Sequence, residues 1–214
     1  MSSMTVSEQA NAGQAGEETV RKVIQPAWVR IMHWINAVAM IVMIMSGWQI
    51  YNASPLFDFQ FSRSVTLGGW LGGGLLWHFA AMWVLMINGL LYLVVGLATG
   101  RFRRKLFPIT PSGVASDLAK AATFRLSHRD LTTYNYVQKL LYAGIILVGI
   151  VVVLSGLSIW KPVQLQLLTA VFGGYDTARY VHFFAMASIV AFLIVHIALA
   201  VLVPKSLRAM IIGR

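Results

Sequence analysis

VHFFAMASIVAFLIVHIALAVLV, residues 181–203, is an apolar run with no charged side chain, yet it carries two histidines, His182 and His196. A helix rising ~1.5 Å per residue crosses the ~30 Å hydrocarbon core of a bilayer in about 20 residues, so the run reads as a membrane span. The histidines stand fourteen residues apart. That spacing is about 21 Å along the axis, and at ~100° per residue it returns to nearly the same face. One helix thus presents two imidazoles in one direction, one in each leaflet. Ionisable groups at membrane depth are costly and mark functional positions.

Working outward, residues 31–51, 75–97 and 140–160 form three more runs of spanning length, and the first two hold His33 and His78. With four antiparallel spans, His33 and His196 fall in one leaflet and His78 and His182 in the other. Crossed pairing would separate the partners by much of the membrane thickness. Two imidazoles from facing helices, with no other ligand at their depth, suit the axial positions of a haem, whose porphyrin supplies four further nitrogens. Zinc takes three or four protein ligands, which neither pair provides. A single histidine in a span can simply bond a neighbouring helix. Four at two matched depths predict two bis-histidine haems, with His33 and His196 as ligands of the inner iron and His78 and His182 of the outer.

Composition supports the membrane reading. Of 214 residues, 58 % are hydrophobic and 11 % charged, with mean hydropathy +0.72; soluble domains run near ~25 % charged. Cysteine is absent, which excludes disulfides, thiolate zinc sites and iron–sulfur ligation within the chain. Seven acidic residues leave little for a carboxylate-rich metal site. The net charge of +10 reflects topology rather than nucleic-acid binding. Fourteen of the seventeen Lys and Arg lie on the side shared by both termini and the second connection, against Arg63, Lys161 and Arg179 opposite. The positive-inside rule then places both termini of this multi-pass chain in the cytoplasm. The expected fold class is all-α, an integral-membrane four-helix bundle. Residues 1–23 read as a disordered tail and 24–214 as one di-haem cytochrome b domain; the first apolar run lacks a small-residue cleavage site and is expected to be retained.

The connections add detail. In the basic loop of residues 100–135, Val114, Leu118, Ala121, Ala122 and Arg125 recur at helical spacing, which fits a short interfacial helix against anionic lipid or a lid over a cofactor. His128, beside Arg129 and Asp130, reads as solvent-exposed. Tyr51, Phe57, Phe59, Trp70, Trp160 and Tyr175 fit an aromatic belt at the opposite boundary, or a docking surface for an external partner. Gly47 stands fourteen residues after His33 and Gly96 eighteen after His78, where a missing side chain leaves room for a macrocycle or for a packed helix. Arg30 and Arg179 each precede a ligand histidine by three residues, on its face, and can pair with haem propionates.

Arg30-Ile-Met-His33-Trp34 followed by Ser46-Gly47, the His78 helix, Tyr134-Asn135 with Gln138-Lys139, and Ala178-Arg179-Tyr-Val-His182-Phe183 leading to His196 together resemble the bacterial cytochrome b561 and nickel–iron hydrogenase b-type cytochrome family, over about residues 24–214. The resemblance implies two haems b that carry electrons between the quinone pool and a redox partner, often a periplasmic-facing dehydrogenase, hydrogenase or molybdopterin oxidoreductase. The Gly-Gly-Tyr and Ala-Arg-x-x-His-Phe segments look most like members that accompany molybdopterin enzymes. A quinone site is expected near the inner haem, framed by Trp34, Tyr134, Asn135, Gln138 and Lys139; the alternative for Tyr134-Asn135 is a plain helix start. Two other functions remain to be weighed. A stand-alone superoxide:quinone oxidoreductase needs a basic outer surface, and only Arg63, Lys161 and Arg179 lie there, against Asp58 and Asp176. A histidine-lined cation transporter needs acidic groups along its path, and the spans have none.

Overall fold

In the computed structural model, residues 25–122 and 134–213 are described, so the expected tail, Arg125 and His128 lie outside the described residues. The elements are α1 (Ala27–Ala53), a 3-10 turn (Arg63–Val65), α2 (Leu71–Ala98), α3 (Arg101–Leu106), α4 (Pro111–Ala122), α5 (Tyr136–Trp160), α6 (Gln166–Val171), α7 (Tyr175–Leu202) and α8 (Pro204–Ile212), with no strand among the described residues. Helices α1, α2, α5 and α7 are each long and apolar enough to cross a membrane. The protein is an all-α bundle with four candidate spans.

Each spanning helix starts before its apolar run does: α1 at Ala27 rather than 31, α2 at Leu71 rather than 75, α5 at Tyr136 rather than 140, and α7 at Tyr175 rather than 181. Hydropathy marks where the chain meets hydrocarbon, whereas backbone hydrogen bonding continues through the interface, so polar first turns stay helical. Local chemistry fixes the starts. Pro26 precedes α1. Asn135 and Gln138 form a capping box on α5, each side chain accepting from the other's backbone N–H. Gly173 and Gly174 lead into α7 at φ +80° and +103°, which a side chain would disfavour.

The helices pack as two antiparallel hairpins, α1 along α2 and α5 along α7, with few backbone approaches between the hairpins. We refer to the end where α1 begins and α7 finishes as the basic end, and to the other as the aromatic end. Burial is inverted relative to a soluble bundle. Ser46, Ser155 and Ser158 are fully buried while Leu76 and Leu202 are about three-quarters exposed, as expected when the outer surface faces lipid. Buried Asn88 of α2 donates to the Met32 carbonyl at 2.8 Å and to Asn36 Oδ1 at 2.7 Å, tying α2 to the turn of α1 that carries His33. The interfacial helix expected in the basic loop is α4, which carries Val114 and Leu118. Its buried Asp117 accepts from the Tyr136 N–H at 2.7 Å, docking it on the first turn of α5.

Candidate functional site

Between the hairpins the four membrane histidines meet in two pairs. His33 of α1 and His196 of α7 have ring centres 6.0 Å apart, and His78 of α2 and His182 of α7 have centres 6.5 Å apart. A metal–imidazole bond is about 2.0–2.1 Å and the donor nitrogen lies ~1.1 Å from its ring centre, so two rings trans on one metal stand ~6.3 Å apart. Both pairs have that separation. Among the described residues no cluster of three or more His, Cys, Asp or Glu could hold a metal by itself. The donor set therefore fits an ion that brings its own equatorial ligands, as haem iron does.

Hydrogen bonding fixes which imidazole nitrogen faces the cleft. Ser46 Oγ lies 2.6 Å from the Val42 carbonyl and 3.1 Å from His78 Nδ1. A hydroxyl has one proton, and the short carbonyl contact takes it, so Oγ accepts from Nδ1–H. Ser155 repeats this one hairpin later: its hydroxyl donates to the Val151 carbonyl at 2.7 Å, leaving Oγ 3.1 Å from His182 Nδ1, which also lies 3.0 Å from the Val152 carbonyl. Nδ1 is thereby the protonated nitrogen in both rings, and Nε2 keeps its lone pair for a metal.

Glycines set the ring positions. A Cβ at Gly47 would stand 3.4 Å from His78 Cε1, and one at Gly156 would stand 3.0 Å from His182 Cε1. Around this pair runs a narrow apolar cleft of about 70 Å³, partly open to the surroundings, whose walls include Met40, Met43, Met82, Met86 and Met186. Unbranched thioether side chains adapt well to a bulky planar group. Two buried donors near the pairs have no hydrogen-bond partner among the described residues: Arg30 Nε, one turn before His33, and Trp48 Nε1, next to Gly47. A buried donor left unmade costs about 1–3 kcal/mol, and the anionic propionates of a haem would satisfy such groups.

The other expected residues are placed as follows. Arg30 also donates to the Ile211 carbonyl at 2.8 Å, and Trp34 Nε1 to the Met210 carbonyl at 3.3 Å, so both hold α8 against the start of α1. Arg179 donates to Ser54 at the end of α1, reaching its carbonyl at 2.6 Å and its Oγ at 3.1 Å. The space beside Gly96 is filled by Phe102 of α3, which a Cβ would strike; clearance there serves helix packing. Asn135 and Gln138 satisfy each other in the cap, while Lys139 reaches the Pro108 carbonyl at 3.4 Å and lies over the Tyr136 ring. No hydrogen bond or ring contact links Trp34 to Tyr134, Asn135, Gln138 or Lys139 among the described residues. Ser155, Gly156 and Trp48 were not expected. The signal for the first two is visible in the chain: Ser46-Gly47-x-x-Ile50-Tyr51 recurs as Ser155-Gly156-x-x-Ile159-Trp160.

A four-helix membrane bundle that holds paired imidazoles, those of His78 and His182 with Nε2 free for iron, defines the class: a multi-pass membrane cytochrome that transfers electrons. The chain belongs to the prokaryotic cytochrome b561 family, whose model it matches over residues 24–213. It is similar to the putative protein-methionine-sulfoxide reductase subunit YedZ1 of Azospira oryzae, with 50 % identity over 190 residues covering 89 % of this chain and 96 % of that protein. Haem b follows from the family.

Proposed function

We propose that this chain is the membrane subunit of a two-component oxidoreductase and carries electrons between the quinone pool and a reductase partner through two haems b. The observation that carries the reading is the pair of imidazole pairs, 6.0 and 6.5 Å across, set fourteen residues apart on α7. Haem supplies a reversible one-electron couple when bound. The protein's part is placement. His33 and His196 would hold one haem and His78 and His182 the other, with the metal positions ~20 Å apart along the axis. Ser46 and Ser155 keep Nδ1 protonated and the rings oriented, and the buried Nε of Arg30 and Nε1 of Trp48 offer donors to propionates. Gly47 and Gly156 leave the rings of His78 and His182 room to face each other.

Charge asymmetry supports a bacterial inner-membrane topology with both termini cytoplasmic. The His78–His182 centre then lies toward the periplasm, where the partner would dock. The name of the similar Azospira protein supports a partner that reduces methionine sulfoxide in proteins, and the resemblance of the Gly-Gly-Tyr and Ala-Arg-x-x-His-Phe segments supports a molybdopterin oxidoreductase as that partner. Electrons balance on that reading. A quinol yields two electrons and two protons, and a sulfoxide takes two of each to give a thioether and water.

The test is pyridine haemochrome quantification of the purified protein, followed by anaerobic addition of a short-chain quinol analogue. Two haems b per chain, both reduced by the quinol, are expected. One haem per chain, or haems inert to every quinol yet reduced by dithionite, would overturn the reading.

A further inference from the structure

The two hairpins are copies of one pattern. In the first, Ser46-Gly47 of α1 faces His78 of α2; in the second, Ser155-Gly156 of α5 faces His182 of α7; both serine-to-Nδ1 distances are 3.1 Å. Moving fourteen residues toward the basic end from these positions reaches His33 from Gly47, Tyr142 from Gly156, Tyr92 from His78 and His196 from His182. Each of the four lies six residues from the basic end of its helix, those ends being Ala27, Ala98, Tyr136 and Leu202. Exchanging the hairpins therefore carries the pair His33–His196 onto the pair Tyr142–Tyr92. At one depth the bundle has a histidine pair on one side and a tyrosine pair on the other.

The tyrosine side is furnished with donors and aromatic walls. Tyr134 packs edge-on against Tyr142, with centres 5.0 Å apart, and Tyr92 lies against Phe102 at 5.4 Å and Trp28 at 6.1 Å. The Tyr134 hydroxyl accepts from Gln25 Nε2 at 3.4 Å, which leaves its own proton to donate, and Gln25 Oε1 accepts from Arg101 at 2.7 Å. The hydroxyls of Tyr92 and Tyr142 have no hydrogen-bond partner among the described residues. Gly149 shares the Tyr142 face two turns on, and a Cβ there would meet nothing within 4 Å. The ring contacts between α2 and α5 among the described residues are Phe79–Trp160 at 5.0 Å and Trp83–Trp160 at 6.4 Å, both at the aromatic end, and the two helices have few close backbone approaches elsewhere. One turn before Tyr92, Asn88 donates to the Met32 carbonyl in the His33 turn, which puts Tyr92 one helical turn from that contact.

We propose that Tyr92, Tyr134 and Tyr142 form the quinone headgroup site, at the place in the bundle that corresponds to the His33–His196 centre under exchange of the hairpins. The proposal rests on the quinone reading above. A quinone offers two carbonyl acceptors on a flat ring that dissolves in lipid. Phenols donate to the carbonyls, aromatic rings stack on the faces, and the gap between α2 and α5 admits the ring from the bilayer. On oxidation a bound quinol releases two protons, toward Tyr134 and Gln25 at the basic end, and two electrons that leave singly through the His33–His196 centre to the partner's oxidised centre.

The test uses the full chain with both haems in lipid nanodiscs and a short-chain ubiquinol or menaquinol analogue. Tyr92→Phe and Tyr142→Phe should each slow quinol-driven haem reduction about 2- to 10-fold, one neutral hydrogen bond apiece. Gly149→Leu, which puts a bulky side chain on the Tyr142 face two turns on, across the way in from the bilayer, should slow it at least tenfold, while Gly144→Leu on the opposite face should leave it unchanged. Haem content and dithionite reduction should match wild type throughout, and an azido-quinone should crosslink to α2 or α5 in wild type and fail in Gly149→Leu. If wild-type haems are reduced by quinol and Gly149→Leu is as fast and as well labelled, this site is wrong and the quinone reading survives. If no quinol reduces the wild type, both fall.

Discussion

Gly156→Ala probes the fit of His182 most directly. The added Cβ would stand 3.0 Å from Cε1 and 3.4 Å from Nδ1 of His182. Carbon contacts are optimal near ~3.5–4.0 Å, so the ring must retreat by roughly 0.5 Å or more. It is not free to do so, because Nδ1 is held at 3.1 Å by Ser155 Oγ and at 3.0 Å by the Val152 carbonyl. Retreat stretches both bonds toward the limit of hydrogen bonding. Losing one or both removes about 1–3 kcal/mol, which is roughly 5- to 150-fold in retention of the metal at that ligand. Gly47→Ala is the internal comparison: its Cβ would reach only 3.4 Å from His78 Cε1, close to ordinary contact. Pyridine haemochrome assay of the purified variants should show Gly156→Ala approaching one haem per chain and Gly47→Ala keeping two, with helical circular dichroism unchanged in both. Full haem content and unaltered midpoint potentials in Gly156→Ala, or equal damage from Gly47→Ala, would refute the packing argument.

Single ligand removals should sort by pair: His33→Ala or His196→Ala should delete mainly one haem and His78→Ala or His182→Ala the other, read as loss of separate steps in a redox titration. Equal loss of both haems from every variant would contradict the pairing. Ser46→Ala should raise the midpoint potential of the His78–His182 haem by about 20–40 mV, because losing an acceptor for Nδ1–H makes the imidazole a weaker donor to ferric iron. Ser155→Ala should shift it less, since the Val152 carbonyl remains 3.0 Å from His182 Nδ1. Asn88→Leu, which removes the donor to Met32 and Asn36, should lower stability by about 1–3 kcal/mol in thermal melts and release the His33–His196 haem first.

Much of the fold was legible because lipid imposes length and apolarity on a helix, and histidines in such runs stand out. The depth of each histidine followed from helix direction alone, and the structure sets the same residues ring to ring. Helix starts were less legible, since the polar turn of 175–180 before the last apolar run looks like loop by hydropathy yet belongs to α7. The side chains of Asn135 and Gln138 show a deeper ambiguity. Amide groups beside an aromatic residue fit ligand binding and capping equally well in one dimension, and only the observed reciprocal bonds identify the cap. Gly96 is similar, because an absent side chain says that something approaches and not what; here it is Phe102. Ser155-Gly156 was readable as a repeat of Ser46-Gly47, but its meaning required seeing that each serine serves a histidine on the neighbouring helix.

The distribution of the paired imidazoles means that haem bound at them would act as a strut for the bundle. Lipid tails are as apolar as the methionine-walled cleft, so burying that cleft gives little drive for the hairpins to associate within the bilayer. What joins them lies at the ends. Arg179 reaches Ser54 and Tyr51 packs on Phe183 at the aromatic end, while Arg30 and Trp34 grip α8 at the basic end. Phe79 and Trp83 of α2 also meet Trp160, the last residue of α5, at 5.0 and 6.4 Å, and between the ends stand the imidazole pairs. Helix α7 supplies one imidazole to each pair, α1 and α2 supply the other two, and α5 supplies only the Ser155-Gly156 support. Coordination would therefore fasten both helices of the first hairpin to a single helix of the second. Binding energy at either iron becomes association energy of the hairpins. Losing His182 or His196 then loosens the bundle as well as emptying a redox centre. The double substitution at both α7 histidines should lower the melting temperature by more than the sum of the two single ones, because each remaining haem still clamps the hairpins until the second is lost.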